Sequence, residues 1–517
     1  MTATLLRGGI VFDGVSPRRQ HLSVLIRDGV IGEVGPTISP SEANTILDID
    51  GAWLTPGFID PHSHADAAVL TGEQMENRAH SGVTTEIVGQ DGLGLAHATG
   101  LAADRMTEIL TPIAGDVTGL LSNGVGEYLD RVDSGAYARA ASLSPHGTIR
   151  AAITGRNLVP VSDSQLTDMI VRFLSDMREG SLGLSTGLSY PPAIASNTAE
   201  IASLLLAAGS GTPYVTHLRS YGKDFDAAVD EALDIAHESG CHLHFSHFHV
   251  SGPDRQGLAG RYLQRIAERE PQATLDSYPY RHACTFLTAL LPARLQDLSY
   301  QGLQDTFRAE KSAIADELAR GGPEATISVG WDDLVVSGLT GPYESVNSMT
   351  LSDIGARTGD SPAQAVVDIV VSQPQSPMVL VPQGHLENMV NIAKSPMQVV
   401  GSDGIFGSGG PHPRLTGSFF RFLYDAMAKT VPLSVEQAVS KMTHRTAKIF
   451  GLHLGVIAPG YPADLLIIDP EKIDRGDDVA PSRPASIQHA FIGGKQTIDS
   501  GVWQGRKLSG VSVRGTQ

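Results

Sequence analysis

The segment LTPGFIDPHSH, residues 54–64, ends in two histidines separated by one residue, His62 and His64. Residues i and i+2 of an extended strand point to the same side, so the two imidazoles can converge on one ion. Such a pair is weak evidence alone, because two histidines can equally be satisfied by ordinary hydrogen bonds. Its meaning depends on whether further metal-ligand side chains stand at comparable positions.

Three more such side chains follow apolar segments. His217 ends YVTH, His247 ends HLHFSH, and Asp403 ends MQVVGSD. Imidazole and carboxylate are common zinc ligands. The repeated placement indicates a divalent metal site that activates water, and the alternative is a set of solvated or core-packed residues.

Asp91 in TTEIVGQDG is the candidate for an additional negative ligand. It follows another apolar strand and lies between Gly89 and Gly92, which permit close backbone approach. It could hold one ion or bridge two, or it could belong to an ordinary Asp-Gly turn. No lysine ends SLGLSTG or the neighbouring strands, so a modified lysine bridge has no candidate.

The elements that position these residues alternate between strand and helix. Residues 162–180 carry apolar residues at helical spacing, begin with Ser and Asp, and end at Gly180. Strands and helices then repeat about every 30 residues, which is typical of βαβ units in a parallel sheet. A closed barrel and an open doubly wound sheet both fit this spacing, and both place functional groups at the carboxyl ends of strands.

The two ends of the chain have a different pattern. Short apolar strands separated by Gly and Asp-Gly turns occur at residues 1–55 and again at 452–517, which predicts one small β domain built from both ends. Residues 56–451 are predicted to form the barrel, with an insertion at about 288–395 before its last strand.

Composition excludes several classes of protein. The 38 Lys and Arg against 56 Asp and Glu give a net charge of −18, which opposes binding to nucleic acid or to an anionic membrane surface. The N-terminal residues lack the apolar region of a signal peptide, and no apolar run is long enough to span a bilayer. We expect a cytoplasmic protein. Two cysteines, Cys241 and Cys284, do not make a disulfide framework.

The chain resembles the amidohydrolase superfamily, and within it the N-acyl-D-amino-acid deacylase (D-aminoacylase) family. The matching segments, in order, are PGFIDPHSH, TTEIVGQDG, GLSTGLSYPP, YVTHLRS, FSHFHV, DSYPY, GSDG, HPR and ADLLIID. The resemblance implies a (β/α)8 TIM-like barrel with a small β-sandwich domain. It also implies that His62 and His64 form one half of a metal site, that His217 and His247 form the other, and that Asp403 is the general base. Zn2+ is the expected cofactor, as one or two ions, although other divalent metals fit as well.

The sequence departs from this family at two places. Asp91 stands where the family has a cysteine ligand, and an aspartate is a harder ligand than a thiolate. His249 stands where the family has a carboxylate-binding lysine, two residues after the fourth histidine. Arg281 could replace that lysine as the partner of a substrate carboxylate.

Further candidates for substrate binding follow from position. Arg219 and Arg414 could bind an acidic substrate or form structural salt bridges. Tyr278 and Tyr280 share a strand face and could donate to a substrate oxygen or pack in the core. From their strand parity relative to His247, we expect two other histidines to face the helices: His242 and His244.

The predicted function is metal-dependent hydrolysis of a small-molecule amide, with deacylation of an N-acyl-D-amino acid implied by the resemblance and a cyclic amide or imide as the alternative. The segment GLSTG also matches the GxSxG motif of serine hydrolases, with Ser185 as nucleophile, but Pro191 and Pro192 oppose the helix which that motif requires. A decayed barrel that only binds is a further alternative. The expected partner is a small molecule carrying a carboxylate, and the oligomeric state is open.

Overall fold

The computed structural model describes residues 3–321, 327, 329–382, 384–407, 412–478 and 483–515. Small parts of the predicted β domain, barrel and insertion lie outside these ranges. All residues predicted to form the site lie within them.

The first 55 residues form short strands, as predicted. Their bounds are β1 (Ala3–Val11), β2 (Gln20–Arg27), β3 (Val30–Gly35), β4 (Thr45–Asp48) and β5 (Trp53–Pro56). Strands β1, β2 and β3 are antiparallel, whereas β4 and β5 run parallel to β1. The turn between β2 and β3 contains Asp28 and Gly29 with φ of 48° and 88°. Two consecutive positive φ angles suit an Asp-Gly hairpin turn.

Parallel strands follow, and helices separate all of them except the third and the fourth. Their bounds are β6 (Phe58–Asp60), β7 (Val83–Val88), β8 (Arg139–Ser142), β9 (Ser144–Pro145), β10 (Leu184–Gly187), β11 (Pro213–His217), β12 (His242–Phe245) and β13 (Thr274–Ser277). Strands β6 to β8 pair in order, and so do β9 to β13. Only Leu143 separates β8 from β9, so these two strands occupy one position.

An insertion interrupts this alternation. It contains an antiparallel sheet of β14 (His282–Phe286), β15 (Val335–Ser337) and β16 (Met378–Pro382), with β16 in the middle. This sheet begins at His282 rather than at about 288. The insertion has its own core, in which Phe307, Leu334 and Val366 are fully buried.

The last parallel strand, β17 (Gln398–Val400), returns to pair with β13. Just beyond it Ser63 and Gly404 form a parallel bridge, and the Asp403 N–H donates to the His62 carbonyl at 2.9 Å. The last strand therefore lies next to the first. Eight parallel positions close into a ring, and the predicted (β/α)8 barrel is confirmed.

The C-terminal strands complete the sheet that the N-terminal strands began. They are β18 (Leu465–Ile468), β19 (Ile487–Ile492), β20 (Lys495–Asp499) and β21 (Val502–Trp503). Strand β18 pairs antiparallel with β5, which produces one nine-stranded sheet. Leu6 and Val24 from one end share a buried core with Ile467 and Phe491 from the other. The domain boundaries at 55 and 452 stay predictions.

The helices surround the barrel and fill the insertion. Their bounds are α1 (Ala68–Thr71), α2 (Met75–His80), α3 (Ala103–Ala114), α4 (Val125–Ser134), α5 (His146–Thr154), α6 (Asp163–Glu179), α7 (Thr198–Ala208), α8 (Phe225–Ser239), α9 (Ala259–Arg269), α10 (Ala293–Gln296), α11 (Tyr300–Ala309), α12 (Lys311–Gly321), α13 (Leu351–Thr358), α14 (Pro362–Ser372), α15 (Leu386–Ala393), α16 (Arg414–Met427), α17 (Val435–Met442) and α18 (His444–Ile449). Helix α6 confirms the prediction for 162–180, because Ser162 and Gln165 form a capping box and Gly180 ends the helix in the left-handed region. Within the described ranges, no helix is both long enough and apolar enough to cross a bilayer.

Candidate metal centre

The carboxyl ends of the barrel strands bring the predicted ligands into one place. His62 and His64 follow β6, Asp91 follows β7, His217 is the last residue of β11, and His247 follows β12. Asp403 follows β17. All six side chains are at least nine-tenths buried.

The Asp91 carboxylate lies among all four histidines. Its Oδ1 atom is 3.4 Å from Nε2 of His62 and 3.5 Å from Nε2 of His247. Its Oδ2 atom is 3.6 Å from Nε2 of His64 and 3.8 Å from Nδ1 of His217. Each carboxylate oxygen therefore faces one histidine from each pair.

The ligand-type atoms form two groups that share Asp91. One group contains His62, His64, Asp91 and Asp403, and the other contains Asp91, His217 and His247. In each group these atoms lie within 4.8 Å of one another. Nitrogen and oxygen donors at this spacing suit a divalent cation such as zinc.

Hydrogen bonds fix the orientation of the second histidine pair. The Ser189 hydroxyl lies 2.8 Å from Nε2 of His217, and the Tyr221 hydroxyl lies 3.3 Å from Nδ1 of His247. The two remaining nitrogens, Nδ1 of His217 and Nε2 of His247, are 2.9 Å apart and face Asp91. Partners on the outer nitrogens are typical of histidines that bind a metal.

Unpartnered buried atoms test whether these residues fit a metal ion. Both ring nitrogens of His62 and Oδ1 of Asp91 are buried and make no hydrogen bond. A buried polar atom without a partner costs about 1–3 kcal/mol. A cation between the histidines would satisfy Nε2 of His62 and the Asp91 oxygen, so the donor set fits a divalent metal.

The electrostatics of the centre favour positive charge. Burial raises the pKa of Asp91, but His62, His217 and His247 outweigh it and hold the pKa well below its usual range. Burial lowers the pKa of His64, yet hydrogen bonds to Asp403 and Asp91 raise it to about 9. Asp91 is therefore ionised, and its charge favours a cation beside the rings.

Asp403 combines an oxygen that faces the histidines with an oxygen bound to an arginine. Its Oδ1 atom is 3.4 Å from Nε2 of His64, and its Oδ2 atom is 2.9 Å from Nη1 of Arg414. Burial raises the pKa of Asp403, but Arg414 and the nearby imidazoles lower it to about 2. The carboxylate is thus ionised at neutral pH and can accept a proton.

Three of the six residues adopt backbone angles that are uncommon for residues other than glycine. Asp91, His247 and Asp403 have φ of 55°, 32° and 49°. Such conformations cost about 1–3 kcal/mol each and cluster at functional sites. The sequence carried no signal for this strain.

Asp276 on β13 is a buried residue that the sequence analysis missed. Its Oδ2 atom is 3.5 Å from Nδ1 of His62 and 3.0 Å from Nε2 of His244, and its Oδ1 atom accepts the His247 N–H at 2.9 Å. His244 therefore points into the barrel, and its predicted orientation toward the helices is wrong. His242 also reaches β13, because its Nε2 atom is 3.1 Å from the Thr274 hydroxyl.

A second buried network joins the first and last barrel strands. The Asp60 carboxylate accepts hydrogen bonds from the His62 N–H at 3.1 Å, from the Ser402 N–H at 3.0 Å, and from the Arg78 guanidinium at 2.6 Å. Arg78 also binds Glu86 with two hydrogen bonds, at 2.9 and 2.8 Å. This network holds the segments that carry His62 and Asp403, and sequence spacing gave no sign of it.

A pocket opens onto the candidate ligands. His64, Asp91, His217, His247 and Asp403 line one side. The rest of the lining, the apolar wall, comes from α3, from the loop after β17 and from the insertion, and it includes five aliphatic or aromatic residues: Ile113, Ile405, Phe286, Leu290 and Val381. The insertion therefore helps to shape the space beside the ligands.

The predicted substrate-binding residues differ in how close they lie to this pocket. Tyr278 lines it. His249 lies behind Tyr278, with ring centroids 4.5 Å apart, and its Nδ1 atom contacts the His247 carbonyl. Arg414 is fully buried behind the wall, 4.8 Å from the Tyr278 ring, and donates to the Cys284 carbonyl at 3.2 Å.

Other predicted substrate-binding residues lie elsewhere. Arg219 pairs with Glu231 at 2.8 Å and donates to the carbonyl groups of Ile194 and Ser196. Arg281 is exposed and lines a separate cavity. Tyr280 is buried beside the Arg421 guanidinium, 4.4 Å from its ring, and lies outside the pocket lining.

Ser185, the alternative nucleophile, supports the Asp91 loop instead. It is fully buried within β10, its hydroxyl donates to the Gly89 carbonyl, and it accepts the Gly92 N–H at 3.1 Å. These contacts use the hydroxyl for structure and connect it to no histidine in the described residues.

Comparison with known proteins agrees with this geometry. A profile described as "Amidohydrolase family" matches residues 45–502. An N-acyl-D-glutamate deacylase of Alcaligenes xylosoxydans xylosoxydans is 29% identical, covering 95% of this chain and 92% of that protein. A D-aminoacylase of the same organism is 28% identical, covering 98% and 95%.

A solved structure shows the same architecture. The N-acyl-D-glutamate deacylase of Bordetella bronchiseptica, complexed with zinc and a phosphonate mimic of the tetrahedral intermediate, is 25% identical. It superposes with a TM-score of 0.79 and covers 96% of each chain.

Proposed function

Because the chain belongs to the amidohydrolase family, we propose that it hydrolyses the amide bond of N-acyl-D-amino acids with the help of one or two divalent cations. Deacylation is the activity named for its relatives. Zinc, which is present in the Bordetella relative, is the proposed cofactor.

One observation carries this proposal: a single buried carboxylate, Asp91, contacts four histidines from distant segments at 3.4–3.8 Å. A structural aspartate needs fewer imidazole partners: Asp176, for example, faces one histidine, His97, at 2.8 Å. Asp91 would be the ligand that the two halves of a metal centre share.

The proposed ligands are the four histidines and Asp91 of the two groups. His62 and His64 with Asp91 would hold one cation, and His217 and His247 with Asp91 would hold a second. The cation supplies a Lewis acid that polarises the scissile carbonyl and lowers the pKa of water to near 7.

Asp403 is the proposed general base. Its Oδ1 atom faces the histidines and the pocket, and it accepts a proton from the attacking water. It then passes this proton to the leaving amine nitrogen, so the carboxylate is regenerated at the end of each turnover. Arg414 binds the other oxygen at 2.9 Å and fixes the orientation of the carboxylate.

The neighbouring groups orient the substrate. Tyr190, Tyr221 and Tyr278 line the pocket, and their hydroxyl groups can donate to the amide or carboxylate oxygens. Arg414, fully buried behind the wall, is paired with Asp403 and is assigned no direct contact with the substrate. His249, Tyr280, Arg219 and Arg281 are assigned no contact with the substrate.

A cyclic amide is the second candidate substrate. A simple hydantoin carries no carboxylate, which agrees with the observation that none of the described Lys or Arg side chains lines the pocket. A small-molecule substrate and a cytoplasmic location complete the proposal.

Metal analysis combined with a substrate panel tests the proposal. We expect the purified protein to contain stoichiometric zinc and to hydrolyse N-acetyl-D-amino acids rather than their L enantiomers or hydantoins. A chelator should abolish turnover, and added zinc should restore it. Full turnover after metal removal, or turnover of hydantoins alone, would overturn the assignment.

A further inference from the structure

We propose that the substrate carries an apolar, uncharged side chain, in contrast to the glutamate substrate named for one relative. The inference rests on the proposed deacylase function and specifies which amino acid the pocket accepts. It follows from the wall that faces the candidate ligands.

That wall offers hydrocarbon surface to the substrate. Ile113 comes from the end of α3 and Ile405 from the loop after β17, whereas Phe286, Leu290 and Val381 come from the insertion. All five side chains are at least nine-tenths buried. Transfer of an aliphatic or aromatic group from water to this wall is favourable.

The polar groups in the same wall are neutral. Burial raises the pKa of the Cys284 thiol to about 12, and burial raises the pKa of the Tyr278 phenol well above its usual range. Thr285 contributes a hydroxyl. Each of these groups can lie next to an uncharged substrate side chain. None of them carries the positive charge that would neutralise a substrate carboxylate.

No cation is available for a second carboxylate. Among the described residues, no Lys or Arg side chain lines the pocket, and the residues outside the described ranges include neither type. Arg414, the nearest guanidinium, is already paired with Asp403. Arg219 is paired with Glu231, and Arg281 lines another cavity.

Desolvation also opposes an acidic side chain. A side-chain carboxylate would be removed from water and left without a partner among the neutral groups of the wall. The neutral amide of the same shape avoids much of this cost, and an alkyl group also gains from the apolar wall.

Three N-acetyl-D-amino acids separate these contributions. We expect kcat/KM to decrease from leucine to glutamine to glutamate, with leucine exceeding glutamate by at least about tenfold. Glutamine and glutamate differ mainly in charge, whereas leucine tests the apolar wall. Glutamate turnover equal to or faster than that of leucine would overturn this inference and leave the deacylase function standing. Failure to hydrolyse any acylated D-amino acid would reject the deacylase function itself.

A variant tests whether the absence of a Lys or Arg from the pocket lining causes the preference for leucine over glutamate. Leu290→Lys places an ammonium group in the wall, and Leu290→Met is the neutral control of similar length. We expect L290K to raise the ratio of glutamate to leucine turnover by about tenfold, while L290M leaves that ratio unchanged. An equal change in both variants, or no change in L290K with zinc content and folding retained, would contradict the charge argument.

Discussion

Oδ2 of Asp276 lies 3.5 Å from Nδ1 of His62, and both side chains are fully buried inside the barrel. The contact leaves Nε2 of His62 directed at Asp91. A carboxylate behind a histidine ligand fixes the ring orientation and raises its basicity. Asp276 is therefore a positioning residue for the proposed metal centre.

Replacing Asp276 by asparagine should weaken zinc binding by about 10–100-fold. The amide keeps the size of the side chain and removes the charge that orients His62. Competition with a chromophoric chelator measures the affinity. Asp50→Asn, at a side chain that is 89% exposed, is the matched control. Unchanged zinc affinity in D276N would show that His62 is oriented by other contacts.

Asp91 should determine how much metal the protein holds. Asp91→Asn removes the charge that both histidine pairs share, so the variant should retain less than half of the zinc measured in the wild-type protein. Asp91→Cys supplies a thiolate, a softer zinc ligand, and should recover part of the metal. Mass spectrometry of dialysed protein gives the content. Equal zinc in D91N and the wild type would contradict a bridging role.

Asp403→Asn should separate catalysis from metal binding. The variant cannot accept the proton, and we expect kcat to fall by about 10²–10⁴-fold, with KM changed far less. Zinc content measured on the same samples should match the wild type, because four histidines and Asp91 remain. Wild-type turnover in D403N would remove Asp403 from the proposed mechanism.

His412 should make stability depend on acid pH. Burial, together with Arg414 and His282 close by, holds the pKa of His412 well below its usual range. Below pH 6.5 the unfolded chain takes up a proton that the folded chain does not, so the free energy of unfolding decreases as pH falls.

The variant His412→Asn removes this titration and keeps an acceptor for the Arg414 N–H, which donates to Nδ1 of His412 at 3.0 Å. Between pH 7 and pH 5 it should lose about 2 kcal/mol less unfolding free energy than the wild type. Urea denaturation at both pH values measures the difference. His21→Asn, on the surface, is the control and should lose as much unfolding free energy between pH 7 and pH 5 as the wild type does. If H412N also loses as much as the wild type, the prediction is refuted.

Much of the architecture could be predicted because strand ends carry a strong local signal. His62, His64, His217 and His247 each follow an apolar run, and the spacing of those runs requires parallel strands. The same logic found Asp403 at the end of the last strand. Residues at the ends of parallel strands meet whatever the details of the helices between them.

The residues that contact the ligands inside the barrel could not be predicted from the alternation of inward and outward side chains along a strand. Parity counted backward from His247 placed His244 outside the barrel, but β12 ends at Phe245 and His247 has a positive φ. The alternation is therefore interrupted between the two histidines, and Asp276 was missed together with His244. For Arg219, the sequence left a salt bridge and substrate binding as alternatives, because its partner Glu231 lies on a helix and sequence alone does not reveal the pair.

The hydrogen bond from the Asp403 N–H to the His62 carbonyl has a consequence for biosynthesis. The proposed centre straddles the junction where the barrel's opening and closing strands meet. A nascent polypeptide acquires Asp403 only after translation has passed the eighth strand, whereas all five proposed metal ligands precede that strand. The proposed base is therefore the last part of the centre to reach its place, when the barrel closes.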